Sequence, residues 1–212
     1  MDGTVVQDRI ARGAGIAARR LGTVYDVYRP CGVDAPLAPG NRVVRLSAAF
    51  LSEDGRVRKP SGYARAAWFG MFDYAYTRPG DFLSGAAGVF FVARQALLEP
   101  AICVLTNRVL GFSRPAAANA VGVNAGYGGV TRTGSVALGS GWAASVLASG
   151  GGERGTLPSD QRAPQWDALL PALPFSPRPA DLVTDEAGRG YGVVSAEESE
   201  MGWRLVLQSA AG

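Results

Sequence analysis

An internal repeat restricts the fold of this chain more than any other feature of its sequence. A tryptophan recurs 98 residues further on, and an Arg-Pro-x-Asp turn recurs after 100 residues. In both copies a Pro-Ser pair precedes the tryptophan by eight residues, and a glycine and an apolar run follow the turn. Several landmarks in one order indicate two copies of one unit of about 70 residues. The repeat anchors are Trp68, Arg78, Pro79 and Asp81 in the first copy and Trp166, Arg178, Pro179 and Asp181 in the second.

These landmarks predict short strands joined by turns. Proline presets the backbone for a turn, and an aspartate side chain can bond nearby backbone amides. The tryptophan supplies a large apolar anchor for a small core. The 29 glycines and 13 prolines also favour turns over long helices. We therefore predict a mainly β fold, with two related small β-barrel or sandwich units and an N-terminal α-helix.

The N-terminal segment has the periodicity of an amphipathic helix that ends at Gly22. Four arginines cluster on the face opposite a thin, mostly alanine apolar stripe, and we mark them as interface candidates. The stripe can dock the helix on its own domain or on a neighbouring subunit, but it is too thin for membrane insertion. The apolar positions are Val6, Ile10, Ala14, Ala17 and Leu21, and the arginines are Arg9, Arg12, Arg19 and Arg20.

Composition along the chain predicts four segments. Residues 1–41 form the helix and an arm, and residues 42–114 form the first β unit. Residues 115–141 are rich in Ala and Gly and lack bulky core residues, so they are predicted to be a linker or long loop. Residues 142–212 form the second β unit.

The residue types argue against familiar catalytic chemistry. The chain has no histidine and two cysteines, Cys31 and Cys103, which are expected to be buried, small apolar thiols, with a disulfide between them as the less favoured alternative. This excludes imidazole-based triads and zinc sites, and no phosphate-binding loop motif occurs. We expect no enzyme activity and no catalytic, cofactor-binding or metal-binding residues. The remaining acid–base candidates are predicted to be turn residues and a solvated hairpin: Asp73 with Asp81, Asp181 with Asp185, and Glu197, Glu198 and Glu200.

Charge and aromatic content bear on partners. With 21 basic and 18 acidic residues, the chain lacks the dense basic face of a dedicated nucleic-acid binder. No run approaches the ~20 apolar residues of a membrane span, so no membrane partner is expected. Aromatic residues occur on both faces of the first unit's strands. Either the two units pack on each other or the surplus faces another subunit. These aromatics are Phe69, Phe72, Tyr74, Tyr76, Phe90 and Phe91.

The whole chain resembles a family of proteins encoded among the virion genes of tailed bacteriophages and prophages of Gram-negative bacteria. The residues that carry the resemblance are YRP at 28–30, RPGDFL at 78–83, FFVA at 90–93, and the closing W-x-x-L-L-P, RPADLV and GWRL motifs. The plan of the second unit is also similar to head–tail adaptor and head-closure proteins, which are small β-barrels in rings beneath the portal.

The resemblance implies a structural component of the virion, assembled in the host cytoplasm and most simply a head–tail connector (neck, collar or adaptor) protein. Such a protein would form a ring of about six or twelve copies through a heterologous interface. Its partners would be itself and other neck or tail proteins, with passive contact to DNA in a channel. The alternatives are a tail-tip or baseplate protein, a non-viral two-barrel binding module and, least favoured, a carboxylate hydrolase.

Overall fold

The computed structural model describes residues 3–51, 66–96, 98–116, 134–149 and 164–209. Strands account for 55% of it and helix for 16%, which confirms the predicted mainly β class with one N-terminal helix and two six-stranded units. The helix, α1, spans Gly3–Leu21.

The first barrel follows α1 directly. Its strands are antiparallel in the order β1-β2-β3-β6-β5-β4, and β4 pairs with β1, which closes the sheet. Two 3-10 helices, Pro39–Asn41 and Tyr74–Tyr76, lie in its connections. The strands are β1 (Thr23–Tyr28), β2 (Arg42–Leu51), β3 (Ala67–Met71), β4 (Phe82–Gly85), β5 (Gly88–Arg94) and β6 (Ala101–Leu105).

The second barrel repeats this topology strand for strand. Its order is β7-β8-β9-β12-β11-β10, closed by the pairing of β10 with β7. Each strand thus takes the place of the strand six positions earlier in the chain. The strands are β7 (Arg108–Pro115), β8 (Ser135–Ala148), β9 (Gln165–Leu170), β10 (Leu182–Asp185), β11 (Gly190–Ser199) and β12 (Gly202–Ser209).

The repeat extends to strand register. Trp68 of β3 pairs with Cys103, and Trp166 of β9 pairs with Leu207 at the matching position. The fifth strand of each barrel carries a register shift at the same place, just after Val92 in β5 and just after Val193 in β11. A bulge re-aims the residues that follow it and increases the local twist, so both barrels bend at the same point.

The predicted unit boundaries were wrong in three places. β1 lies in the predicted arm yet belongs to the first barrel, while β7 lies within the predicted first unit yet belongs to the second barrel. The connection between the barrels is the dipeptide Thr106–Asn107. Of the predicted linker, residues 135–141 lie in β8 and residues 117–133 lie outside the described residues. Small residues obscured this strand, because its pairing with β7 does not depend on bulky side chains.

The helix docks on the first barrel through a face that overlaps the predicted stripe only in part: Ile10 and Ala14 pack against the barrel core, but the fully buried residues lie beside the stripe. Ala11, Gly15 and Ala18 are its buried residues, whereas Leu21 is 73% exposed. A side chain at Gly15 would lie 3.1 Å from Cβ of Asp73, so the helix approaches the barrel closely through small residues. The helix ends before Gly22, where a Cβ would collide with the carbonyl of Ala48.

The described residues form two apolar clusters, one confined to α1 and the first barrel and one that spans both barrels. Along β5, Phe90 and Val92 belong to the interior of the first barrel, whereas Phe91 and Ala93 belong to a cluster shared with the second barrel. This alternation follows from the two-residue period of a strand. Of the six aromatics, Phe69 and Phe91 join the two units, Phe72, Tyr74 and Phe90 lie in the first barrel's own core, and Tyr76 is exposed. The shared cluster includes Phe69, Phe82, Phe91, Ile102 and Val104 from the first barrel and Leu110, Trp142, Ala143, Leu169 and Leu205 from the second.

Candidate functional site

The Arg-Pro-Gly-Asp turn of the first barrel contains a buried carboxylate. Asp81 is 1% exposed and accepts two hydrogen bonds from Arg29, at 2.9 Å from Nε and 2.7 Å from Nη2. Its second oxygen also accepts the backbone N–H of Arg78 at 3.0 Å, which closes the Arg-Pro-Gly-Asp turn. The hydrogen bond to Asp81 raises the pKa of Arg29. The aspartate thus ties the end of β1 to the turn that begins β4.

The second barrel contains the same arrangement. Asp181, also 1% exposed, accepts Nε of Arg114 at 2.7 Å and Nη2 at 2.8 Å. The backbone N–H of Arg178 also donates a hydrogen bond to this carboxylate, at 2.8 Å. Within both turns, the residue before the aspartate has a positive φ, +91° at Gly80 and +72° at Ala180.

Sequence comparison missed the two arginines that pair with these aspartates. Arg29 and Arg114 lie 85 residues apart, whereas the other anchors lie 98 to 100 residues apart. The shared signal is the dipeptide Arg-Pro, since Arg29 and Arg114 are both followed by a proline. The loops between the first and third strands differ in length, which moved the arginines out of the common offset.

The paired tryptophans hold equivalent places against an aromatic ring of the fifth strand. Trp68 lies edge-on to Phe90 with ring centroids 6.1 Å apart, and Trp166 lies edge-on to Tyr191 at 5.3 Å. Such edge-to-face contacts contribute about 0.5–1.5 kcal/mol beyond the area they bury. The tryptophans therefore pack against the barrel cores, as structural anchors would.

The aspartates that the sequence marked as acid–base candidates have separate structural partners, whereas Glu197 and Glu198 are exposed. Asp73 accepts the backbone N–H of Ala75 at 3.2 Å and caps a 3-10 helix. Burial acts to raise the pKa of Asp185, but hydrogen bonds from the backbone and guanidinium of Arg189 and from the backbone of Ala187 outweigh it, so this pKa is lowered. A lowered pKa keeps a carboxyl ionised at neutral pH and does not suit it to act as a general acid.

The cysteines are both free. The predicted burial was wrong for Cys31, which is exposed in the loop after β1. Cys103 is fully buried in the first barrel, where burial raises the pKa of its thiol. A protonated thiol in an apolar interior is a weak nucleophile. Among the described residues, no group of three or more His, Cys, Asp or Glu side chains is placed to hold a metal ion.

The four interface candidates of α1 are all exposed, and none makes an ion pair with another described residue. The strands differ in this respect, because all six of their described arginines are paired with carboxylates. These six are Arg42, Arg45, Arg94, Arg108, Arg114 and Arg204. The helix therefore carries basic charge that its own chain leaves uncompensated in the described part.

Two of the four arginines line a groove along the seam between α1 and the first barrel, which we call the seam groove. Arg19 lines both lobes of this groove, which have volumes of about 440 and 420 Å³, and Arg12 lines the second lobe. Arg9 and Arg20 do not line it. Exposed apolar side chains continue along the groove: Ile16 is 46% exposed, Val24 56% and Tyr76 56%. The remaining lining includes Asp8, Gly15, Arg45, Ser47, Asp73 and Ala75.

This mixture of free guanidinium groups and exposed apolar side chains is typical of a protein interface, in which arginine and aromatic residues are enriched. No helix in the described part of the chain is long and apolar enough to cross a membrane. No family model, curated protein or solved structure matches the chain.

Proposed function

We propose that this chain is a structural protein of a tailed bacteriophage particle, and specifically a ring-forming component of the head–tail connector. The observation that carries the proposal is the union of two barrels of identical topology into one block with unlike outer surfaces. A ring requires a heterologous interface, in which two different faces of the subunit meet. A fused pair of diverged units supplies such faces within one chain.

The junction between the barrels supports a rigid block. Thr106 donates its backbone N–H to the carbonyl of Val89 in the first barrel at 2.9 Å. The next residue, Asn107, binds β8 of the second barrel through both ends of its side-chain amide. Its Nδ2 donates to the carbonyl of Val146 at 2.9 Å, and its Oδ1 accepts the backbone N–H of Val146 at 2.8 Å. Each residue of the connection is thus held by a different barrel.

A loop of the first barrel adds a second attachment. The carbonyl of Val33 accepts the indole N–H of Trp142 at 2.8 Å, and Ala35 donates its backbone N–H to Ser140 at 2.9 Å. Phe82 of the first barrel also lies 6.4 Å from Trp142, measured between ring centroids. Polar and apolar contacts together hold the two barrels as one body, which suits a protein that transmits load between neighbours.

The assignment to a virion rests on the sequence resemblance, and the assignment to a scaffold rests on the chemistry of the described residues. The buried aspartates are held by arginines and turn amides, and the exposed arginines of α1 point to protein partners. We accordingly assign no cofactor and no reaction to the chain.

Cryo-electron microscopy of the phage or prophage particle that encodes the chain tests the proposal. We expect six- or twelve-fold rings of two-barrel subunits between portal and tail tube. Density at the tail tip would replace the connector role with a baseplate role. Absence of the chain from purified particles, checked by mass spectrometry, would overturn a virion role and favour a cellular two-barrel binding module.

A further inference from the structure

We propose that the seam groove of one copy receives the β11–β12 hairpin of a neighbouring copy, through ion pairs between Arg12 and Arg19 and the glutamates of that hairpin. This inference rests on the proposed ring, and it names the two faces that would meet. The hairpin, here called the acidic hairpin, carries Glu197, Glu198 and Glu200 around the turn that joins β11 to β12.

Among the described residues, charged side chains without an ion-pair partner lie on both the acidic hairpin and α1. In the described part of the chain, Glu197 and Glu198 are exposed and make no ion pair. Glu200 contacts Arg94 of the first barrel at 3.3 Å but remains 72% exposed. The second barrel thus presents uncompensated negative charge on a hairpin, whereas the first barrel presents uncompensated positive charge on α1. Complementary patches of this kind steer association and determine which faces meet.

The acidic hairpin and the seam groove lie on different units of the chain. The turn of the acidic hairpin, at Glu200 and Met201, belongs to the second barrel, and the seam groove is a depression on the first barrel. An exposed acidic hairpin on one unit and, on the other, a groove whose arginines pair with no described carboxylate would meet in a head-to-tail contact between copies. Such a contact repeats from copy to copy and closes into a ring when the rotation permits.

The lining of the seam groove favours a protein segment over DNA as its occupant. The groove has a mixed lining, because the carboxylates of Asp8 and Asp73 lie beside the guanidinium groups of Arg12 and Arg19. The exposed apolar side chains of Ile16, Val24 and Tyr76 also suit a protein surface, since phosphate recognition relies on charge and polar donors. The groove therefore fits an acidic protein segment better than a nucleic acid.

Charge reversal on the full-length chain tests this contact by analytical ultracentrifugation at low and moderate salt. We expect Arg12→Glu/Arg19→Glu and Glu197→Arg/Glu198→Arg each to weaken self-association by at least about tenfold. An equimolar mixture of the two variants should restore it, because each reversed groove meets a reversed hairpin and each native groove meets a native hairpin. Arg178→Glu is the matched control, since Arg178 is exposed, makes no ion pair among the described residues and lies far along the chain from α1.

Cysteine cross-linking gives a second readout that detects a weak contact. In a Cys31→Ser background, a chain with Arg19→Cys is mixed with a chain carrying Glu198→Cys, and a disulfide between unlike chains is expected. Cys103 is fully buried and should not react. A control pair with Arg178→Cys in place of Arg19→Cys should remain unlinked.

Three results would overturn the contact: reversed variants that associate like the wild type, a mixture that fails to recover association, or a monomeric chain that forms no cross-link. Loss of DNA binding by the arginine variant alone, with unchanged self-association, would assign the groove to nucleic acid instead. If the contact fails but the chain lies in the neck of the particle, the connector role stands. If the contact holds but particles lack the chain, only the virion role fails.

Discussion

Arg29 bonds Asp81 through two parallel hydrogen bonds, and this pair connects the first strand of the barrel to the turn before its fourth strand. Arg114 and Asp181 form the same connection in the second barrel. Bidentate pairs of this kind are stronger than single hydrogen bonds and depend on the planar guanidinium. Each barrel therefore contains one such arginine–aspartate pair, here called the clasp, in which the aspartate is the buried partner.

Removal of either arginine should destabilise the protein. Arg29→Leu or Arg114→Leu would leave a buried aspartate with its turn amide but without its bidentate guanidinium partner, and in the first barrel Arg78 stays 3.8 Å from Asp81. Because the guanidinium groups are about one-third exposed, we expect a loss near the lower end for buried pairs, about 2–3 kcal/mol in urea unfolding. The control Arg178→Leu removes an exposed arginine and should change stability by no more than about 0.5 kcal/mol. Equal losses in all three variants would contradict the clasp.

The turns of the two barrels provide a matched pair of opposite substitutions. Gly80 and Ala180 hold equivalent positions with φ of +91° and +72°. An alanine is strained at positive φ, so Gly80→Ala should lower the free energy of unfolding by about 1 kcal/mol, and Ala180→Gly should raise it by up to about 1 kcal/mol. No atom would crowd a Cβ at Gly80, so backbone strain alone acts there. Thermal or urea unfolding measures both, and changes of the same sign would refute the equivalence.

Acid should weaken the second barrel through Asp185. The pKa of this carboxyl lies below its ordinary value of 3.8 in the folded protein. Its contribution is therefore fully present above the unfolded pKa and is lost as pH falls through the folded pKa. We expect Asp185→Asn to be less stable than the wild type at pH 7, and the difference to shrink as pH falls from about 5 to below 3. Urea unfolding over this range measures it.

The exposed Glu198→Gln is the comparison for this acid series. Glu198 makes no ion pair among the described residues, so its stability should stay within about 0.5 kcal/mol of the wild type. A difference between Asp185→Asn and the wild type that grows at low pH would be inconsistent with a lowered pKa.

The repeat could be predicted from the sequence because its landmarks use rare residues in fixed order. Trp68 and Trp166 occupy matching register positions, and the Arg-Pro-x-Asp turns begin the fourth strand of each barrel. The unit boundaries could not be predicted, because the division falls inside the apolar run 101–112, at Thr106–Asn107. Local composition does not distinguish one strand from two strands that belong to different sheets.

The candidate site was predicted only in part. The arginines of α1 follow from helical periodicity, but the sequence did not reveal that Arg12 and Arg19 line a groove while Arg9 and Arg20 do not. That division depends on the face by which α1 docks, and small residues decided it. Periodicity weights large apolar residues such as Leu21, whereas close approach of the helix favours Ala11, Gly15 and Ala18.

The junction between the barrels should depend on the side chain of Asn107. Asn107→Ala would leave the N–H and carbonyl of Val146 without their partners. We expect a loss of about 2–3 kcal/mol and a broader urea transition, because unsatisfied backbone groups are costly and the barrels would be less coupled. Asn41→Ala is the control. Its amide also bonds two carbonyls but is partly exposed, so the loss should be about 1 kcal/mol or less. A junction variant as stable as this control would argue against a rigid connection.

Two glycines of α1 test how closely the helix docks. Gly13 is exposed and a Cβ there would meet no atom within 4 Å, so Gly13→Ala should stabilise the protein by about 0.5–1 kcal/mol through helix propensity. Gly15→Ala brings the same propensity but places its Cβ 3.1 Å from Cβ of Asp73. Either the helix or Asp73 must give way by a few tenths of an ångström, which would also alter the lining of the seam groove. We expect no gain or a net loss in urea unfolding, together with weaker self-association. Equal stabilisation by the two substitutions would mean that α1 does not rest against Asp73.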